Sequence, residues 1–243
     1  MNDKKHHSLK KLNAGFTLIE LIVVIAIISL LATLIIPAAQ RSIESAKNVK
    51  CKNNLRQMVI AARIYDMDYG ELPPAYLRDF SSGETTTWES HLWDMGTDCQ
   101  IQQCPSFHGE AMWDDDRFTG YNYNASYLGG TVLMRDGEIL PGSTRSATLC
   151  SISNPSRCAA FGDGEYEGGA NKFMRSPYPG DLDSGGGLAT GGTQGFRHIK
   201  KTNVGFLDGH VESMSVQYTR GAAGETAEGC GFLSPDNSMY DTK

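Results

Sequence analysis

Hydrophobic positions are unevenly distributed along the 243 residues, and the unevenness predicts the first element. Residues 21–39 carry no charge, and most of them are aliphatic. Nineteen residues at a helical rise make about 28 Å, close to the hydrocarbon thickness of a bilayer. From Gln40 the pattern changes rather than stops. Ile43, Ala46, Val49, Leu55, Met58, Val59, Ala62 and Tyr65 recur at helical spacing, with Lys, Arg, Asn and Gln between them. Gly70 and Pro73-Pro74 end the pattern. The prediction is one helix of roughly fifty residues, apolar in its first half and amphipathic in its second.

Beyond residue 73 the periodicity becomes short and strand-like, broken by Gly, Asn, Asp and Ser. One hairpin signal stands out. Val204, Phe206, Val211 and Met214 flank Asp208-Gly209, a dipeptide suited to a type I′ turn. The fold class expected is α+β: a long N-terminal helix packs its amphipathic half on an antiparallel sheet, with residues 75–195 as a loop-rich insertion.

Charge adds an orientation. Net charge is −6, which argues against a nucleic-acid partner. The one basic cluster, Lys4, Lys5, Lys10 and Lys11, precedes the apolar run. The positive-inside rule keeps it cytoplasmic and places residues 40–243 outside. Six cysteines in a chain with an export-like start suggest disulfides, with Cys99/Cys104 and Cys150/Cys158 the nearest pairs, although sequence does not fix connectivity. Ordinary secretion with cleavage near Ala39 is a competing expectation, opposed by the length of the apolar run.

Glu20 sits at the edge of that run, where a carboxylate is costly unless it stays at headgroup level or finds a cation. The surrounding residues, "KKLNAGFTLIELIVVIAIISLLATLIIPA", closely resemble the prepilin signal of type IV pilins and type II secretion pseudopilins. The resemblance implies cleavage by a prepilin peptidase between Gly15 and Phe16 and N-methylation of Phe16. It implies that Glu20 pairs with the Phe16 amine of an adjacent protomer and fixes the register of packed helices, and that Pro37 loosens the helix for packing.

The remainder resembles proteins with a prepilin-type processing-associated H-x9-DG domain. "CPSF" at Cys104–Phe107, "GYNYNASYLGG" at Gly120–Gly130, and "ISNPSRCAAFGDGE" with its acidic Asp163 are the weaker matches. His198 followed nine residues later by Asp208-Gly209 is the naming one. The implied organisation is a leader at 1–15, a transmembrane and assembly helix at 16–39, its amphipathic continuation at 40–72, and an extracytoplasmic β-rich domain at 73–243 with the motif at 198–209. The implied partners are the prepilin peptidase, copies of itself and other pilin-like subunits, an inner-membrane assembly platform, and the membrane.

Candidate chemistry outside the signal is sparse. His198 is expected to pin the hairpin through Asp208 or the turn backbone; a metal or catalytic role with Asp208 and His210 is the alternative. Asp181 and Asp183 in "GDLDSGGG" offer hard oxygens for Ca²⁺, without EF-hand spacing, and no other cofactor is expected. "WDDD" at Trp113–Asp116 reads as a solvated turn. Trp88, Trp93, Trp113, Tyr121, Tyr123 and Tyr127 form either core or a carbohydrate-binding surface. No Gly-x-Ser-x-Gly elbow, P-loop or His-Glu-x-x-His occurs. A structural subunit is therefore expected rather than an enzyme, with a membrane-tethered binding or hydrolytic domain as the alternative.

Overall fold

A computed structural model describes residues 16–94, 99–112, 120–183, 193–222 and 224–243, excluding the side chains of residues 93, 94, 99 and 100. The chain divides into two units, residues 1–43 and 44–243. A single helix, α1 (Leu18–Tyr69, 52 residues), contributes to both. In the first unit its large apolar side chains are exposed, and Ala32 is partly covered. The hydroxyls of Ser29, Thr33 and Ser42 donate to the carbonyls of Ile25, Leu30 and Ala38, so the few polar groups of this stretch are satisfied within it. Helix continues through Pro37, which has no N–H to give to Thr33. Gly70, at φ +79°, closes α1 as a left-handed C-terminal cap.

The second unit is β-rich. Strands β1 (Tyr76–Asp79) and β2 (Thr85–Thr87) lead into the short helix α2 (Trp88–Asp94). Strands β3 (Tyr121–Asn124), β4 (Thr131–Arg135), β5 (Glu138–Ile139), β6 (Ala159–Asp163) and β7 (Phe173–Met174) follow. The last described strands are β8 (Gln194–Gly195), β9 (Thr202–Phe206), β10 (Val211–Met214), β11 (Arg220–Gly221), β12 (Gly224–Glu225) and β13 (Cys230–Gly231). The central sheet runs β10-β9-β6-β3-β7, antiparallel except for the β3/β7 pair. A second sheet, β2-β1-β4-β5, has one parallel pair, β1/β4. The fold is thus α+β, with mixed sheets where a purely antiparallel one was expected.

The core explains why α1 packs where it does. Cys51, Leu55, Met58, Val59 and Ala62 are fully buried and share a cluster with Trp88, Leu92, Tyr121, Tyr123 and Phe161. Their spacing is one helical stripe. Gly205 of β9 admits the helix closely: a Cβ there would lie 3.1 Å from Val59 and 3.5 Å from Leu55. The opposite face of the central sheet is covered by Leu233 and Tyr240 against Ala159, Met174, Val204 and Phe206. Three expected members of the stripe, Ile43, Ala46 and Val49, are exposed, so the buried face begins at Cys51.

The β9–β10 hairpin forms as expected, but with a different turn. Phe206 N–H donates to His210 O and Gly209 N–H to Phe206 O. Only Gly209, at φ +99°, is left-handed, so this is not a type I′ turn. The type I′ geometry occurs instead at Asp136-Gly137 (φ +52° and +80°), which joins β4 to β5.

Candidate functional site

The helix start is built by two residues, Thr17 and Glu20. Thr17 Oγ1 accepts from the Glu20 N–H at 3.3 Å, while Glu20 Oε2 accepts from the Thr17 N–H at 2.8 Å and its hydroxyl at 2.7 Å. This reciprocal arrangement is a capping box, and it satisfies two of the orphan donors of a helix N-terminus. Phe16, just before it, is exposed. Gly15, the expected cleavage position, lies outside the described residues, as do the basic residues ahead of it. Among the described residues, α1 is the one helix long and apolar enough to cross a membrane.

A second constellation lies in the β-rich unit, where elements far apart in sequence converge. Cys51 projects from the buried stripe of α1. Cys104 opens a turn, Cys104-Pro105-Ser106-Phe107, closed by Phe107 N–H on Cys104 O at 3.1 Å, with proline at the position that favours it. Gly120 (φ +100°) permits this turn to pack; a Cβ there would come within 2.8 Å of Cys104 Cβ. Asp163 ends β6. His198 enters a turn in which His198 and Lys201 exchange backbone hydrogen bonds across Ile199 and Lys200, both left-handed at φ +54° and +59°. For a β-branched residue that conformation is strained.

The four side chains are at most 1 % exposed. Cys51 Sγ lies 3.3 Å from Cys104 Sγ, 3.2 Å from His198 Nε2 and 3.2 Å from Asp163 Oδ1. His198 Nε2 is 3.6 Å from Cys104 Sγ and 3.5 Å from Asp163 Oδ2. One donor atom from each residue fits within 4.8 Å of the others, spacing that suits a shared metal ion.

The surroundings are polar and organised. Tyr121 Oη lies 3.0 Å from Cys51 Sγ and accepts from Asn54 at 3.2 Å. Asn203 N–H donates to Asp163 Oδ2 at 2.6 Å. Arg197 Nη2 approaches Asp163 Oδ1 at 3.9 Å, while Nη1 pairs with Glu165 at 2.9 Å. Burial pushes the Cys51 thiol well up. The hydrogen bond from Cys51, aided by His198 and Arg197, pulls Cys104 down to about 5. Burial alone would lower His198, but Asp163 and Cys104 raise it to about 9.

The other expected site residues fall elsewhere. His198 does not reach Asp208: Asp208 Oδ1 instead holds His210 Nδ1 at 2.6 Å and its N–H at 3.0 Å, both near the surface. The expected Cys150–Cys158 disulfide is absent. Cys150 is an exposed free thiol, while Cys158 donates to Tyr240 O at 3.3 Å from the core. Cys104 meets Cys51 in the cluster, as a free thiol, and the Cys99 side chain lies outside the described residues. Asp183 is held by Arg175 at 2.8 Å and by the Gly180 N–H at 2.8 Å, and Asp181 lies 3.8 Å from Lys243. Residues 184–192 of that loop, and the "WDDD" segment, fall outside the described residues. Trp88, Tyr121, Tyr123 and Tyr127 are buried, so they are core and not a carbohydrate-binding surface. The side chains of Trp93 and Trp113 are outside the described set.

Residues 10–36 match the prokaryotic N-terminal methylation motif. The chain therefore carries a pilin-type processing signal on the apolar start of α1. No curated protein and no solved structure matches it. The matched segment contains Gly15, Phe16, Thr17 and Glu20, so the capping box falls inside the motif.

Proposed function

We propose that the chain is a pilin-like structural subunit. It is inserted in the inner membrane with its β-rich domain outside the cytoplasm. It is cleaved between Gly15 and Phe16, methylated on Phe16, and assembled into a type II secretion pseudopilus or a type IV pilus-like filament. The observation that carries this is the methylation motif over residues 10–36, on a helix whose apolar surface is exposed from Leu18 to Ile36. Such a surface is stable only against lipid or other helices. The role is architectural rather than enzymatic, and the H-x9-DG domain is the outward-facing part.

Glu20 has two jobs in this proposal. Within one protomer it caps α1 through Thr17. In the filament its charge meets the amine of a neighbour's Phe16, which sets axial register. N-terminal sequencing with intact-mass measurement of the mature protein is the test. N-methyl-phenylalanine at residue 16 is expected; a mature chain starting near residue 40 would overturn it.

A further inference from the structure

We propose that Cys51, Cys104, Asp163 and His198 form a closed zinc site that fastens the buried stripe of α1 to the central sheet. Four donors from four separate elements meet at one point. Zinc bonds of about 2.3 Å to sulfur and about 2.0–2.1 Å to nitrogen or oxygen, set tetrahedrally, place neighbouring donors about 3.3–3.8 Å apart. Five donor separations, 3.2 to 3.6 Å, lie at or just under that spacing, with Asp163 meeting Cys51 through Oδ1 and His198 through Oδ2, and one donor atom of each residue lies within 4.8 Å of the others. Two thiolates and an imidazole are too soft a set for calcium or magnesium, and with a carboxylate they suit zinc.

Charge and burial agree with a metal. Two thiolates, one carboxylate and a divalent ion leave one negative charge, and the Arg197 guanidinium beside Asp163 supplies its counterpart. The site is sealed, as structural zinc sites are, and offers no open position to a substrate. That burial also argues against a nucleophilic Cys/His/Asp triad, which requires access.

The outer groups orient the ligands as a metal site requires. Tyr121 Oη lies against Cys51 Sγ, and Asn203 N–H fixes Asp163. His198 turns Nε2 inward, leaving Nδ1 buried with no hydrogen-bond partner among the described residues and 3.7 Å from Glu44 Oε1, a carboxylate held by Ser106 at 2.7 Å. An approach of roughly 0.5–1 Å, to ordinary hydrogen-bond length, closes the carboxylate–histidine–metal chain. The left-handed Ile199 and Lys200 show that the backbone accepts strain where it delivers His198 inward. Zinc binding leaves both sulfurs as thiolates and the His198 imidazole neutral with its Nε2 lone pair on the metal, and the protons displaced from these groups go to solvent.

The test uses the full-length protein in detergent, purified without chelator and without added metal. Mass spectrometry of metals should find one zinc per chain. Cys104→Ser and His198→Gln should each lower it to about a tenth or less, while Cys150→Ser, at an exposed thiol, should retain it. If the ligand variants do not accumulate, wild-type protein stripped of metal and titrated with Co²⁺ should show tetrahedral d–d bands and thiolate-to-cobalt charge transfer at one equivalent. Wild-type protein with neither zinc nor cobalt bands overturns the site. So does a Cys51–Cys104 disulfide in the non-reduced peptide map, or zinc lost equally in Cys150→Ser. None of these outcomes depends on cleavage at Gly15 or on filament formation.

Discussion

Replacing Lys172 by methionine should destabilise the β-rich unit through a carboxylate left behind. Glu89 of α2 and Lys172, just before β7, are 5 % and 7 % exposed at their side chains, and Nζ lies 2.5 Å from Oε1. The Lys172 backbone is also fixed, accepting from Trp88 Nε1 at 2.9 Å and from the Tyr123 N–H at 3.0 Å. The side chain is therefore held over Glu89. Lys172→Met keeps the volume but strands a charge in the core, at a cost of about 3–5 kcal/mol near neutral pH. That is a large share of the 5–15 kcal/mol typical of a domain.

The double variant Glu89→Met/Lys172→Met should recover most of the loss, because an apolar pair of similar volume is about neutral or better. The pH dependence has a definite sign. Burial raises the Glu89 carboxyl above its ordinary 4.5, against the opposing pull of Lys172. A raised folded value means that the stability contribution is full below the unfolded value and is lost as pH rises through the folded one. Without Lys172 the rise is larger, so the deficit relative to wild type should be smaller at pH 5 than at pH 8. Denaturant unfolding of full-length protein in detergent, followed by tryptophan fluorescence, measures each difference. A Lys172→Met variant within about 1 kcal/mol of wild type at pH 8, or a double variant no better than the single, would refute the buried-pair account.

Three further outcomes follow from the same geometry. Glu20→Gln keeps an acceptor for Thr17 but removes the charge, so membrane insertion and cleavage should be normal while sheared-filament yield collapses; wild-type yield would exclude charge pairing with a neighbour's amine. Leu55→Ala, beneath β9, should cost about 2–5 kcal/mol in the same unfolding assay, whereas half-exposed Ile60→Ala should cost well under half of that. Gly209→Ala meets no atom within 4 Å, so its loss, about 1–3 kcal/mol, is backbone strain alone, and Gly209→Asn should restore part of it.

The elements legible in the sequence are those whose signals are local. The period of α1, its stop at Gly70 and the β9–β10 hairpin each depend on neighbours within a few residues, and each is present. The cysteine cluster is different. Cys51 is separated from Cys104, Asp163 and His198 by 53, 112 and 147 positions, so only the tertiary fold brings them together. Pairing cysteines by sequence proximity failed at Cys150/Cys158 for that reason, since one faces solvent and the other the core. The Glu20 cap was available locally as Thr17-Leu18-Ile19-Glu20, the Ser/Thr-x-x-Glu pattern. The carboxylate that is costly in hydrocarbon is thus partly satisfied by bonds within its own chain.

The placement of the cluster bears on what kind of molecule this is. Three of its members, Cys104, Asp163 and His198, belong to sequence elements that look like functional motifs, and their convergence resembles that of an active centre. Yet Cys51 and Leu55 continue one buried helical stripe, and Tyr121, whose hydroxyl touches Cys51, is a core residue beside Tyr123 and Phe161. The donors face one another inside the hydrophobic core rather than a cleft. Chemistry in such a place acts on the fold: it decides how firmly the amphipathic part of α1 is held to the sheet. The apolar surface from Leu18 to Ile36 is the part left open for lipid or for other helices.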